Sequence, residues 1–137
     1  MFRLNSLGRT IAATTFLWLA FSCSSQPKNL AQIQQQRAGD YVLTLLNDTG
    51  VVKQHSNRLV LEIRNASTNQ PTDVMNLQIQ GNMRMPGMGP MFATVSSTKQ
   101  LGVGRYEFDA DFSMSGQWNF LVTFDPNGRA QFNVNAQ

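Results

Sequence analysis

After Gly39, apolar and polar residues alternate along most of the chain, as expected for strands with one buried face. In residues 106–112 the alternation is clearest, because aromatic residues and alanine alternate with Glu107, Asp109 and Asp111. The other predicted strands are residues 41–46, 58–64, 76–80, 91–97, 118–124 and 130–135. The sequence therefore predicts an all-β fold, an immunoglobulin-like sandwich of about seven strands.

The N-terminal residues have the layout of a secretory signal peptide. Arg3 and Arg9 precede the apolar run 11–21, which is shorter than the roughly 20 residues of a membrane-spanning helix. Small residues and the single cysteine, Cys23, follow, and residues 20–23 resemble a bacterial lipobox. We expect an exported protein of the cell envelope or periplasm, anchored to a membrane through a lipidated Cys23. Ordinary cleavage after Ser22 is the alternative.

The predicted domain organisation has three parts. A signal peptide spans residues 1–22, a polar tether spans 23–39, and a single β-sandwich domain spans 40–137. The tether is predicted because this segment is rich in glutamine and has little apolar surface to bury. A short helix over residues 29–37 is the alternative.

Charge and cysteine content exclude several classes of function. The formal net charge is +3, and removing Arg3 and Arg9 with the signal peptide lowers it by two, to +1. The mature protein has no basic stripe, so we expect no nucleic-acid partner. A single cysteine excludes an internal disulfide. Since Cys23 is predicted to carry lipid and His55 is the only histidine, we do not expect an enzyme.

Four of the seven methionines lie close together: Met83, Met85, Met88 and Met91. Between them, Pro86 and Gly87 predict a type II turn with Met85 and Met88 at its corners. Thioethers are soft ligands that select Cu(I) over zinc, magnesium and calcium, so the cluster suggests a copper site. Methionine is also an adaptable apolar residue, and the alternative is that the loop packs on the core or forms a contact surface.

Three further residues are candidates for the same site. Gly116 permits a tight turn that would bring Met114 and Trp118 towards the methionine loop, where an indole face would attract a bound cation. The alternative is that Trp118 is a central residue of the core. His55 lies in a predicted loop and is a possible copper ligand, or simply solvated. We expect Glu107, Asp109 and Asp111 to form an ordinary solvated strand face.

Three segments together resemble the YtkA-like (FixH-like) domain family. They are residues 83–91, Gly104-Arg105-Tyr106 and residues 112–118, and the resemblance extends from Asp40 to Val134. It implies a small exported or membrane-tethered β-sandwich, of a kind found near copper transport and heme-copper oxidase assembly.

The functional hypothesis is therefore a lipid-anchored envelope protein that binds Cu(I) through Met83, Met85, Met88, Met91 and Met114. It would deliver or buffer copper, or serve oxidase assembly, with a membrane copper transporter or a heme-copper oxidase assembly factor as its partner. The alternative is a metal-free interaction module whose methionine loop docks on a membrane protein.

Overall fold

The computed structural model describes residues 29–137, and all of the regular structure in that part of the chain is β-strand. The strands are β1 Ala31–Ala38, β2 Tyr41–Asn47, β3 His55–Asn65, β4 Met75–Met83, β5 Met91–Gly102, β6 Arg105–Phe112, β7 Gly116–Asp125 and β8 Gly128–Ala136. The predicted all-β fold is confirmed, with eight strands in the described residues rather than about seven. No helix within residues 29–137 is long and apolar enough to cross a membrane. The predicted signal peptide and Cys23 lie outside the described residues.

Neighbouring strands are antiparallel, in the order β1-β2-β3-β6-β5-β4-β7-β8. The long strand β5 belongs to both halves of the sandwich, because residues 91–93 pair with β4 and residues 94–102 pair with β6. On the other side the outermost strands approach each other, and the Asn133 backbone N–H donates to Gln34 Oε1 at 2.9 Å. The two halves therefore enclose one core between them.

The tether prediction is wrong for residues 31–38, and so is the helix alternative. These residues form β1, which pairs with β2 from Ala31 opposite Asn47 to Ala38 opposite Tyr41. Backbone hydrogen bonds to β2 hold the strand, although its glutamines give it little apolar surface. Ala38 is buried and Ile33 packs against the core. The domain therefore begins with β1 and not at residue 40.

Aromatic residues from β6, β7 and β8 fill the core. Phe108, Phe112, Trp118, Phe120 and Phe132 are all fully buried. The Phe112 ring lies edge-on to Trp118 and to Phe120, with centroid distances of 5.3 and 5.5 Å. Full burial of each such side chain contributes about 1.5–3 kcal/mol to the free energy of unfolding. The apolar residues of the predicted alternation are therefore the ones that face the core.

Gly104, the turn residue immediately before β6, occupies a position that only glycine fits. Its φ is +64°, its carbonyl accepts from the Ile63 N–H at 2.7 Å, and its N–H donates to Asp73 Oδ1 at 2.7 Å. A Cβ at this position would meet backbone atoms of Ile63 and Thr72 at less than 3 Å. Gly104 therefore holds the β3–β4 connection against β6.

We expect Gly104→Ala to lower the free energy of unfolding by at least about 2 kcal/mol, because it adds both backbone strain and a clash. Gly102→Ala is the matched control, since a Cβ there meets nothing within 4 Å. Urea denaturation measures both. Equal midpoints for the two variants would contradict this role of Gly104.

The antiparallel order gives the sandwich two ends. At one end, the odd-numbered strands begin and the even-numbered strands finish. This end carries the loop between β4 and β5, residues 84–90. We call this the methionine end. It also carries the loops joining β2 to β3 and β6 to β7.

Candidate functional site

Residues 84–90 connect β4 to β5 at the methionine end. Within this loop the Met88 N–H donates to the Met85 carbonyl at 3.2 Å, and Gly87 has a φ of +78°. These values describe a type II turn with glycine at its third position. The predicted turn is confirmed, with Met85 and Met88 at its corners.

The two turn methionines are the accessible ones of the hairpin. Met85 is 36% exposed and Met88 is 62% exposed. The intervening Pro86 and Gly87 are also exposed, so the turn projects from the sandwich. Both methionines are therefore accessible to solvent without any opening of the core.

Met83 and Met91 form the base of the same hairpin. They are direct partners across β4 and β5. Met83 is only 5% exposed, whereas Met91 is partly buried and packs against the core. A Cβ added to Gly116 would lie 2.9 Å from the Met83 methyl carbon, so Gly116 leaves the space that Met83 occupies. The base of the hairpin is therefore continuous with the core.

Of the two interpretations of Trp118, the structure supports the one in which it is a central residue of the core. It is fully buried, and its Nε1–H donates to the Met114 carbonyl at 3.1 Å. The β4–β7 register ends at Asn82 opposite Asn119. Met83 follows Asn82, and Trp118 precedes Asn119, so the two residues lie just beyond the last pair. Trp118 therefore supports the base of the hairpin from inside the sandwich.

Met114 and His55 lie at the same end. Met114 is half-buried in the short loop before β7 and packs against the core. The loop predicted for His55 is wrong, because His55 is the first residue of β3 and pairs with Phe112 in the register; its side chain is exposed. The Gln54 side-chain amide donates to the Ser113 carbonyl at 3.2 Å, which ties the two loops together. The fold thus brings all the sequence-predicted candidates of residues 29–137 to the methionine end.

The outer face of β6 carries its carboxylates beside an arginine. Arg58 Nε lies 3.2 Å from Asp109 Oδ1 and 3.9 Å from Glu107 Oε1. The hydrogen bond to Asp109 raises the pKa of the Arg58 guanidinium above its usual value. In the part of the chain that is described, no group of three or more His, Cys, Asp or Glu residues is placed to hold a metal.

Two features near the hairpin were not predicted from the sequence: the space that Gly116 leaves for Met83, and the exposure of Phe92. Gly116 makes room for Met83, which only the packing of the two loops shows. Phe92 is 69% exposed on the outer face of β5, opposite Asn82. The signal for Phe92 was present, because it lies between the inward-facing Met91 and Ala93, and alternation turns it outward.

A groove of about 300 Å³ crosses the outer face of β4, β7 and β8. It is lined by Asn82, Arg84, Asn119, Leu121, Arg129 and Gln131. None of the candidate methionines contributes to this lining. We therefore place the candidate site at the turn and not in the groove.

Comparison with known proteins identifies the type of domain. The model of the family described as YtkA-like matches residues 35–123, a range that contains the methionine hairpin, Met114 and Trp118. A solved structure, the crystal structure of the Lin-41 filamin domain, superposes with a TM-score of 0.50 at 8% identity. The match covers 69% of this chain and 91% of that chain, and at this identity it shows the fold alone. A search of curated proteins found no match.

Proposed function

The chain belongs to the YtkA-like family, and from this premise we propose that it is an exported, lipid-anchored envelope protein that binds Cu(I) through methionines. It would deliver or buffer copper, or serve heme-copper oxidase assembly. The observation that supports this proposal is the type II turn that places Met85 and Met88 at its two corners, with both residues exposed.

The chemistry of the turn suits a soft cation. Thioether sulfur favours Cu(I), and Ag(I) is its usual mimic. The turn hydrogen bond fixes the backbone between Met85 and Met88, so less conformational freedom is lost on binding than in an unstructured segment. Neither ligand has to lose a proton before it binds, unlike cysteine or histidine.

The candidate methionines differ in how accessible they are to an ion in solvent. We assign capture to Met85 and Met88, and completion of the coordination to the partly buried Met91 and Met114. Met83 is the least accessible thioether, at 5% exposure. Binding by Met83 would need a rearrangement of the base of the hairpin.

A second candidate function is a metal-free interaction module. This function is supported by the exposed apolar side chains near the hairpin, since Met88 is 62% and Phe92 is 69% exposed. Such a surface suits an adaptable contact with a membrane partner, such as a copper transporter or an oxidase assembly factor.

Anaerobic titration with Cu(I) against a competing chelator tests the first proposal. We expect the affinity to change by less than about threefold between about pH 6 and about pH 8, because thioethers have no proton to lose. His55→Ala is the control, and it should show the same affinity. A steep loss of affinity at acidic pH that disappears in His55→Ala would point to a histidine site. Absence of binding at both pH values would favour the interaction module.

A further inference from the structure

The polypeptide enters the domain at the methionine end. Ala31, the first residue of β1, pairs with Asn47, the last residue of β2. Gly50, in the loop after β2, lies against it, since a Cβ on Gly50 would be 3.2 Å from the Ala31 Cβ. The even strand β4 ends at the same end with Met83. The attachment point and the methionine turn are therefore on the same side of the sandwich.

The connection to the predicted lipid anchor is short. Only residues 24–30 separate Cys23 from Ala31. Even fully extended, this stretch places the two Cα atoms no more than about 28 Å apart. The eight residues of β1 rise by about 26 Å towards the opposite end of the sandwich. Contact between that opposite end and the membrane would therefore require an almost fully extended connection, which is entropically unfavourable.

Apolar exposure alone does not distinguish the two ends. Met85, Met88 and Phe92 are exposed near the methionine end. At the opposite end, Met75 is 70% exposed and Val103 is 61% exposed. The attachment point of the chain is what selects between them.

We propose that the methionine end faces the lipid surface that holds the anchor, with Met88 towards the headgroups and Met75 away from them. The orientation rests on the proposed function only through the lipid on Cys23, and no metal is needed for it. A copper ion held by Met85 and Met88 would then be presented at the plane of the membrane. There it would be accessible to the membrane-embedded part of a partner.

Fluorescence quenching by lipid tests this orientation. The full chain is expressed in a bacterial envelope as Met88→Cys or as Met75→Cys, and the processed protein is placed in phosphatidylcholine and phosphatidylglycerol vesicles that contain a nitroxide headgroup lipid. A lipidated Cys23 has no free thiol, so a thiol-reactive fluorophore labels only the introduced cysteine. We expect the fluorophore at position 88 to be quenched several-fold more than the one at position 75. Both native side chains are exposed, so the two variants are matched.

Equal quenching at the two positions would overturn the proposal, since the sandwich would then lie on its side. Stronger quenching at position 75 would overturn it as well. If the fluorophore labels Cys23 itself and the protein does not float with the vesicles, Cys23 carries no lipid. That result would also overturn the proposed orientation. None of these outcomes depends on Cu(I), so they are distinguishable from a failure of the copper titration.

Discussion

Replacing Met85 and Met88 together by leucine is expected to lower the affinity for Cu(I) by at least about 100-fold. Leucine keeps the apolar volume but has no sulfur to ligate a metal. Both positions lie on an exposed turn, so we expect the free energy of unfolding to change by less than about 0.5 kcal/mol. Competition titration and urea denaturation of the same preparations measure the two quantities.

Met75→Leu is the matched control, because Met75 is 70% exposed and lies at the opposite end of the sandwich. It should leave the affinity for Cu(I) unchanged. Full affinity in the double variant would contradict the copper site at the turn. If copper handling in cells survives the double leucine change, the docking interpretation is favoured, since leucine preserves an apolar contact.

Trp118→Ala is expected to lower the free energy of unfolding by about 3–5 kcal/mol, because it leaves a large cavity beside Phe112. Such a variant risks not folding at all. Trp118→Phe is therefore the informative companion, with an expected loss of about 1–3 kcal/mol. We expect Trp118→Phe to retain its Cu(I) affinity, since the indole is fully buried and its N–H already donates to the Met114 carbonyl.

Phe92→Ala is the control for these core changes. Its side chain is 69% exposed, and we expect a change in unfolding free energy of less than about 0.5 kcal/mol. A Trp118→Phe variant that keeps its stability but loses Cu(I) would contradict the core role of Trp118. It would instead place the indole against the metal.

Most of the fold could be predicted because its strands bury one face. In β6, for example, Tyr106, Phe108 and Phe112 alternate with charged residues, and the structure buries all three. The largest exception is β1, whose glutamines show no apolar alternation. Its strand conformation depends on pairing with β2, a long-range interaction that local composition does not reveal.

The candidate site could be predicted in part. The local sequence determines the turn, because Pro86 and Gly87 favour type II geometry wherever the hairpin lies. The burial of Met83 could not be predicted, since it depends on the space left by Gly116 across two loops. Likewise, the position of His55 at the methionine end follows from the strand order and not from any local pattern.

The most direct measurement is NMR of the methionine methyl groups in the processed protein during titration with Cu(I), or with Ag(I) as its mimic. Methyl resonances report each thioether separately, so the ligands can be identified by residue. We expect the Met85 and Met88 methyl resonances to shift with the first equivalent of metal, while that of Met75 stays in place. Unchanged Met85 and Met88 resonances, or an equal shift at Met75, would contradict a copper site at the methionine turn.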